Sequence, residues 1–231
     1  IGFDDAVFQY ARGGEKKTTD TLPVPDHKVA MKLVLGRLLD ATHGVIGDIS
    51  EIKAFGHRFV NGGSEFMESV IANEDILTRI RSILDIAPLH NPAHLLGIEA
   101  CIDAAPETPQ VIVFDTAFHA KVQPESYMYA LPHKYFEKYG VRKYGFHGTS
   151  HYYVSHRAAQ LMGRPIEDLK IVTCHLGNGA SVDAVKDGWA VETSMGFTPH
   201  EGLIMGSRTG DVDAAAILYI MKREGISADE M

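Results

Sequence analysis

The sequence predicts an α/β fold in two domains. Three observations predict it. The chain has 231 residues, long for one domain and comfortable for two. Short apolar runs of strand length alternate with segments of helical period. Hydrophobic residues make up 45% and charged residues 23%, an ordinary globular composition.

The elements follow in order. The opening ten residues read as strand and turn, and residues 13–20 are polar and read as a loop. Asp26 caps a helix whose apolar positions include Val29, Leu33, Val34 and Leu38. Residues 52–57 read as a short strand, followed by Arg58 and the Gly62-Gly63 break. Asn73 opens a second helix with Ile76, Leu77, Ile80, Ile83 and Leu84 on one face, ended by Pro88. Asn91-Pro92 is a helix start, N-cap then proline, and that helix runs to about Ala105. Residues 111–114 are continuously apolar, which predicts a central strand covered on both faces. Thr149 or Ser150 caps the next helix, closed by Gly163. Residues 171–174 read as another buried strand. Residues 181–186 and 189–193 alternate around Asp187-Gly188, a hairpin with a type I′ turn. Asp211 caps a last helix that stops at Gly225. The seam falls near residues 119–124, giving domains 1–119 and 120–231.

The balance of 22 basic and 30 acidic residues, net −8, argues against a nucleic-acid partner, which needs a basic surface. No apolar stretch approaches a membrane span, and the first residues do not read as a signal peptide. Cys101 and Cys174 both sit in apolar runs and read as buried thiols in a reducing compartment, so a cytoplasmic location is expected. The chain opens on Ile1 within a running pattern and stops just after a helix, so a fragment of a longer chain is expected.

Open α/β sheets bind ligands at the carboxyl ends of their strands. Here those ends carry Asp115 within Val-Phe-Asp-Thr-Ala-Phe-His, Arg58 within His-Arg-Phe-Val-Asn-Gly-Gly, and His175-Leu176-Gly177-Asn178-Gly179 running on to Ser181. Glycines flanking Asn178 leave backbone N–H groups open to an anion, although a tight turn would need them too. Arg208, in Met-Gly-Ser-Arg-Thr-Gly-Asp, can fork two oxygens of a phosphoryl group or carboxylate. Asp115 reads as a cap, as an acid that orients a reacting group, or as a nucleophile. Ala117 stands where paired-aspartate phosphate sites carry a second Asp, which disfavours the last reading. His90 with His94, and His147 with His151, have the i, i+4 spacing of zinc ligands, so a zinc-dependent hydrolase is an alternative. Neither pair has the Glu of His-Glu-x-x-His.

Six stretches in order carry a resemblance: 57–63, 87–92, 113–119, 144–151, 174–181, and 193–199 through Gly210-Asp211. Together they resemble the acetate kinase family, acyl-phosphate-forming kinases of the actin, sugar kinase and Hsp70 superfamily. The resemblance implies a two-domain actin-like (ribonuclease H-like) fold, incomplete here at both termini, with 1–119 binding the acid and 120–231 part of the nucleotide-binding domain. It implies ATP/ADP and a small carboxylate as partners, and a homodimer. It implies that Asp115 is the active-site aspartate, that Arg58 holds the carboxylate, and that His147 and Arg208 stabilise the transferring phosphoryl group. His175, Leu176, Gly177, Asn178 and Gly179 match a nucleotide-phosphate loop. Val60, Leu89, Phe146 and Pro199 match a pocket for the methyl group of acetate, and His90 a further polar site residue. Direct in-line transfer is expected, with Asp115 aligning the reactants.

The sequence also departs from the family. Asn61, Glu192 and His200 stand where His, Asp and Leu are usual. A first-strand phosphate motif and later adenosine- and metal-binding segments have no match, so Mg²⁺ is expected to take its ligands outside this chain. These residues alone are expected not to make acetyl phosphate. Propionate kinase shares the motifs, and a non-catalytic fragment is the remaining alternative.

Overall fold

The structure is a computed structural model and describes every residue except 89. The chain divides into two compact units, Ile1–Phe114 and Asp115–Met231.

In the first unit, β1 (Phe3–Tyr10) and β2 (Thr18–Val24) form an antiparallel ribbon. Helix α1 (His27–Leu38) begins at Asp26, whose carboxylate accepts the Val29 N–H as expected. Its buried residue is Leu35; Val34, expected on the apolar face, is exposed. Next come β3 (Phe55–Phe59), β4 (Val70–Ile71), α2 (Glu74–Arg81), α3 (Asn91–Ala104) and β5 (Gln110–Phe114). Asn73 caps α2 through the Ile76 N–H, and Ile76, Leu77 and Ile80 are buried. The strand expected at 52–57 starts three residues later and takes in Arg58. The sheet order is β3-β5-β4, with β3 parallel and β4 antiparallel to the central β5. Phe59, Phe66 and Phe114 anchor the core, with ring centroids 5.5 Å and 4.6 Å from Phe114. Each such pair adds about 1 kcal/mol beyond its buried area.

Asn91 does not cap α3. It is the first helical residue and fully buried, and its amide is spent on the backbone of Asn61 and Ile83. A side chain engaged in the core cannot turn back to its own helix start.

The second unit contains α4 (Pro124–Tyr127), α5 (Lys134–Tyr139), α6 (Gly148–Met162), β6 (Lys170–Leu176), β7 (Ala180–Lys186), β8 (Trp189–Thr193) and α7 (Ala214–Glu224). The three strands form one antiparallel sheet in chain order. Asp187 and Gly188 take φ of 54° and 79°, the backbone of a type I′ turn.

Three expectations fail locally. Strand β6 is an edge strand with one covered face, so Val172 and Cys174 are exposed rather than buried; only Cys101 is a buried thiol. Neither Thr149 nor Ser150 caps α6. His147 does so by position, and Ser150 Oγ bonds the His175 ring instead. Asp213, not Asp211, caps α7; the Asp211 carboxylate accepts the Gly202 N–H. Among the described residues no helix is long and apolar enough to cross a membrane.

Candidate active site

In the first unit, Arg58 lies near the carboxyl end of β3, paired in register with Val113, and its side chain is exposed. The chain then turns inward through Val60 and Asn61, both buried. Side chains from α3 fix this turn. The Asn91 Nδ2 donates to the Asn61 carbonyl at 3.0 Å, and the Asn61 N–H points back to Asn91 Oδ1 at 3.3 Å. The Val60 N–H points to His94 Nδ1 at 3.3 Å. Gly62 is needed because a Cβ there would press on the Phe114 ring and the Phe66 Cβ, and Gly63 because its φ is +59°. His90 is half-buried at the start of α3. Leu89 lies outside the described residues.

In the second unit, Asp115 is 1% exposed. Its carbonyl accepts the Gly148 N–H at 3.0 Å, and a Cβ at 148 would collide with that oxygen, so only glycine fits. His147 takes a left-handed conformation, φ 58°, uncommon for a residue with a side chain. Its ring stacks on His175, with centroids 4.0 Å apart. Phe146 is fully buried beside it.

The loop after β8 is pinned at several points. Asp211 N–H donates to the Gly202 carbonyl and Met205 N–H to the Arg208 carbonyl. His200 meets Thr209 at 3.0 Å. Tyr129 bonds both Glu201 and the Phe197 N–H; burial and the Glu201 hydrogen bond push its hydroxyl pKa up. Gly196 is packed so closely against Glu201 and Tyr129 that any side chain would collide. Within this loop Arg208 Nη1 donates to the Pro199 carbonyl at 2.9 Å.

His147 and Arg208 converge on Gly179. A Cβ at that position would lie 3.3 Å from His147 Nε2 and 3.4 Å from Arg208 Nη1. Glycine there keeps a side chain from crowding the guanidinium and the imidazole, with the exposed Gly177-Asn178 turn beside them. Leu176 is 75% exposed. A guanidinium and an imidazole beside a glycine turn are groups suited to bonding an anion.

Four residues behind this site are given no role by the resemblance, although three of them end matching stretches: His119, His151, Ser181 and Asp183. His147 Nδ1 and His151 Nε2 each lie 2.8 Å from Ser181 Oγ. His151 Nδ1 lies 2.7 Å from Thr173 Oγ1. His119 Nε2 lies 2.7 Å from Asp183 Oδ2. All four are buried, and burial holds the His151 pKa down to about 4, against the pull of Asp183. The available signal was polar residues at the inward positions of strands. Thr173 pairs with Asp183, and His175 with Ser181, on one face of the sheet. The His147–His151 spacing reflects a shared serine; both nitrogens of His151 already have partners. Among the described residues no group of three or more His, Cys, Asp or Glu converges as a metal cage.

The acetokinase family model matches residues 1–231. The chain is 50% identical to the acetate kinase of Dictyoglomus thermophilum, covering 100% of this chain and 58% of that protein. It superposes on the crystal structure of Porphyromonas gingivalis acetate kinase with a TM-score of 0.93 at 41% identity, covering 99% of this chain and 57% of the other. A propionate kinase from Francisella tularensis matches with a TM-score of 0.90 at 39% identity, covering 100% and 58%. The fold is thus the actin-like α/β fold that the motifs implied. The chain spans less than two thirds of the length of these relatives.

Proposed function

The chain belongs to the acetokinase family, and from that premise we propose that it serves the reversible transfer of the ATP γ-phosphoryl group to acetate. The observation that carries the reading is the convergence of His147 Nε2 and Arg208 Nη1 over Gly179. Phosphoryl transfer asks a protein for position and for charge opposite the developing negative oxygens, not for covalent chemistry. In this reading His147 and Arg208 face the equatorial oxygens in transfer. The buried Asp115 aligns the acceptor for in-line attack. Arg58 takes the acetate carboxylate, His90 a further polar role, and Val60, Leu89, Phe146 and Pro199 the methyl-binding roles that the family resemblance gives them. Residues 175–179 take the nucleotide phosphates.

The same proposal gives 1–119 to the acid and 120–231 to the nucleotide. Its partners are a small carboxylate and ATP/ADP, with no nucleic acid or membrane partner. It includes a homodimer in the cytoplasm. Mg²⁺, with its ligands outside these residues, would supply charge neutralisation on the phosphates.

The test is acyl phosphate formation by the complete protein with ATP, Mg²⁺ and a panel of short carboxylates. Acetate should give the highest kcat/KM. The likeness to a propionate kinase favours propionate as the second-best acceptor. No acyl phosphate from any carboxylate would end the reading.

A further inference from the structure

We propose that His119, Asp183, His151 and Ser181 form a positioning relay that holds His147 in the neutral tautomer with its proton on Nε2, the nitrogen facing the anion. The inference rests on the phosphoryl-transfer reading for its purpose, but not for its geometry.

The argument begins at Ser181. Its hydroxyl carries one proton and lies 2.8 Å from two imidazole nitrogens, His147 Nδ1 and His151 Nε2. It therefore donates to one ring and accepts from the other. Which way it points decides where both rings carry their protons. Asp183 breaks the tie. Its Oδ1 has no hydrogen bond of its own and lies 3.6 Å from His151 Nε2. A carboxylate oxygen in a buried site favours a proton on the nitrogen it faces and is repelled by a bare lone pair. His151 therefore carries its proton on Nε2, donates to Ser181, and accepts at Nδ1 from the Thr173 hydroxyl 2.7 Å away. Ser181, having accepted, donates to His147 Nδ1. The His147 proton is left on Nε2, 3.3 Å from the Cβ position of Gly179.

The far end is consistent. His119 Nε2 lies 2.7 Å from Asp183 Oδ2, while its Nδ1 is buried without a partner. Donating Nε2–H to Asp183 leaves Nδ1 a bare acceptor, which costs less than a buried, unpaired N–H. That bond fixes the carboxylate against His151. The reverse arrangement would put a His147 lone pair toward anionic oxygens and a His151 lone pair toward Asp183. The low His151 pKa agrees with a neutral ring at the middle of the relay.

Histidine-selective ¹⁵N labelling of the protein reads tautomers directly. Signals are assigned by their loss in His147→Asn and His151→Asn variants. The expected pattern is a protonated Nε2 and bare Nδ1 on both rings. Asp183→Asn keeps the shape but presents an amide N–H to His151 Nε2, so both tautomers should reverse. The kcat for acyl phosphate formation should then fall by about 10²-fold or more, with nucleotide KM little changed. Ser181→Ala, a smaller change, should leave His147 a mixture of tautomers, and serves if Asp183→Asn does not fold. A His147 tautomer unmoved in the folded variants overturns the relay, even if activity falls. Tautomers that move as stated in a wild-type protein that makes no acyl phosphate would uphold the relay and overturn the reading of its purpose.

Discussion

The two units hold their candidate site residues by different means. In Asp115–Met231, polar side chains hold one another: a serine bridges two imidazoles, and a carboxylate stands behind them. In Ile1–Phe114, side chains hold backbone: Asn91 grips both polar groups of the Asn61 peptide, and His94 faces the Val60 N–H. The first arrangement sets proton position and orientation together. The second sets shape alone, because peptide groups have fixed donors and acceptors. A group that must present a proton to an anion is suited to the first. A wall that must fit a methyl group is suited to the second.

The largest break in this comparison should come from Arg208→Ala. If the second unit handles the phosphoryl group, turnover should fall by roughly 10³ to 10⁵-fold, as for arginines that stabilise phosphoryl transfer elsewhere. Nucleotide affinity should change far less. Steady-state kinetics of acyl phosphate formation measure both, and a loss under about tenfold would remove Arg208 from the clamp.

In the first unit the matching break is Asn91→Ala, and it should appear in stability before turnover. The change strands the Asn61 N–H and carbonyl and the Ile83 carbonyl in a buried site. A cost of about 3 kcal/mol follows, read as a lower urea midpoint at unchanged m-value. A midpoint within error of wild type would mean the turn is held by packing alone.

A smaller effect separates the two by pH. His151 has a pKa of about 4 in the folded chain against 6.5 for the free side chain. Above 6.5 both states are neutral there and the group contributes nothing. As pH falls below 6.5 the unfolded chain takes up a proton that the folded chain refuses, so stability drops until about 4. Between pH 6.5 and 5 the loss should be on the order of 2 kcal/mol. The His151→Asn variant should lack that slope, whereas Asn91→Ala, which removes no titrating group, should keep it. Equal slopes in wild type and His151→Asn would contradict the burial argument.

The same comparison explains what the sequence made legible. Elements specified by local signals came through: the Asp26 and Asn73 caps, the Asp187-Gly188 turn and the glycine closing α6. The misses share a cause. Asn91, Ser150 and Asp211 each have cap chemistry at a helix start, but each side chain is engaged by a partner distant along the chain. Local propensity cannot see that competition. Gly179 was legible as part of a loop, and the pairing of His147 with Arg208 only through the family resemblance; local signals could not give their approach to Gly179, which depends on two separate loops. The relay was hidden for the opposite reason. His147 and His151 were conspicuous, and their spacing suggested a metal, while Ser181 between them carried no signal beyond an inward position on a strand.

The finest test concerns shape in the first unit. Val60 is 3% exposed and follows β3 directly. If it lines the acyl pocket, Val60→Ala adds room for about one methylene and should shift the ratio of kcat/KM values toward propionate. One methylene in an apolar pocket is worth about 1–3 kcal/mol, so the shift should be about tenfold or more. The substitution will also cost some stability, since it opens a cavity in a packed turn. That loss acts on both substrates alike and cancels in the ratio, which makes the ratio the quantity to measure. The Asn91 contacts should keep the backbone of the turn in place, so the added volume should open toward the substrate. A ratio that stays at the wild-type value in a folded Val60→Ala protein would take Val60 out of the pocket and leave the discrimination between acetate and propionate to other walls.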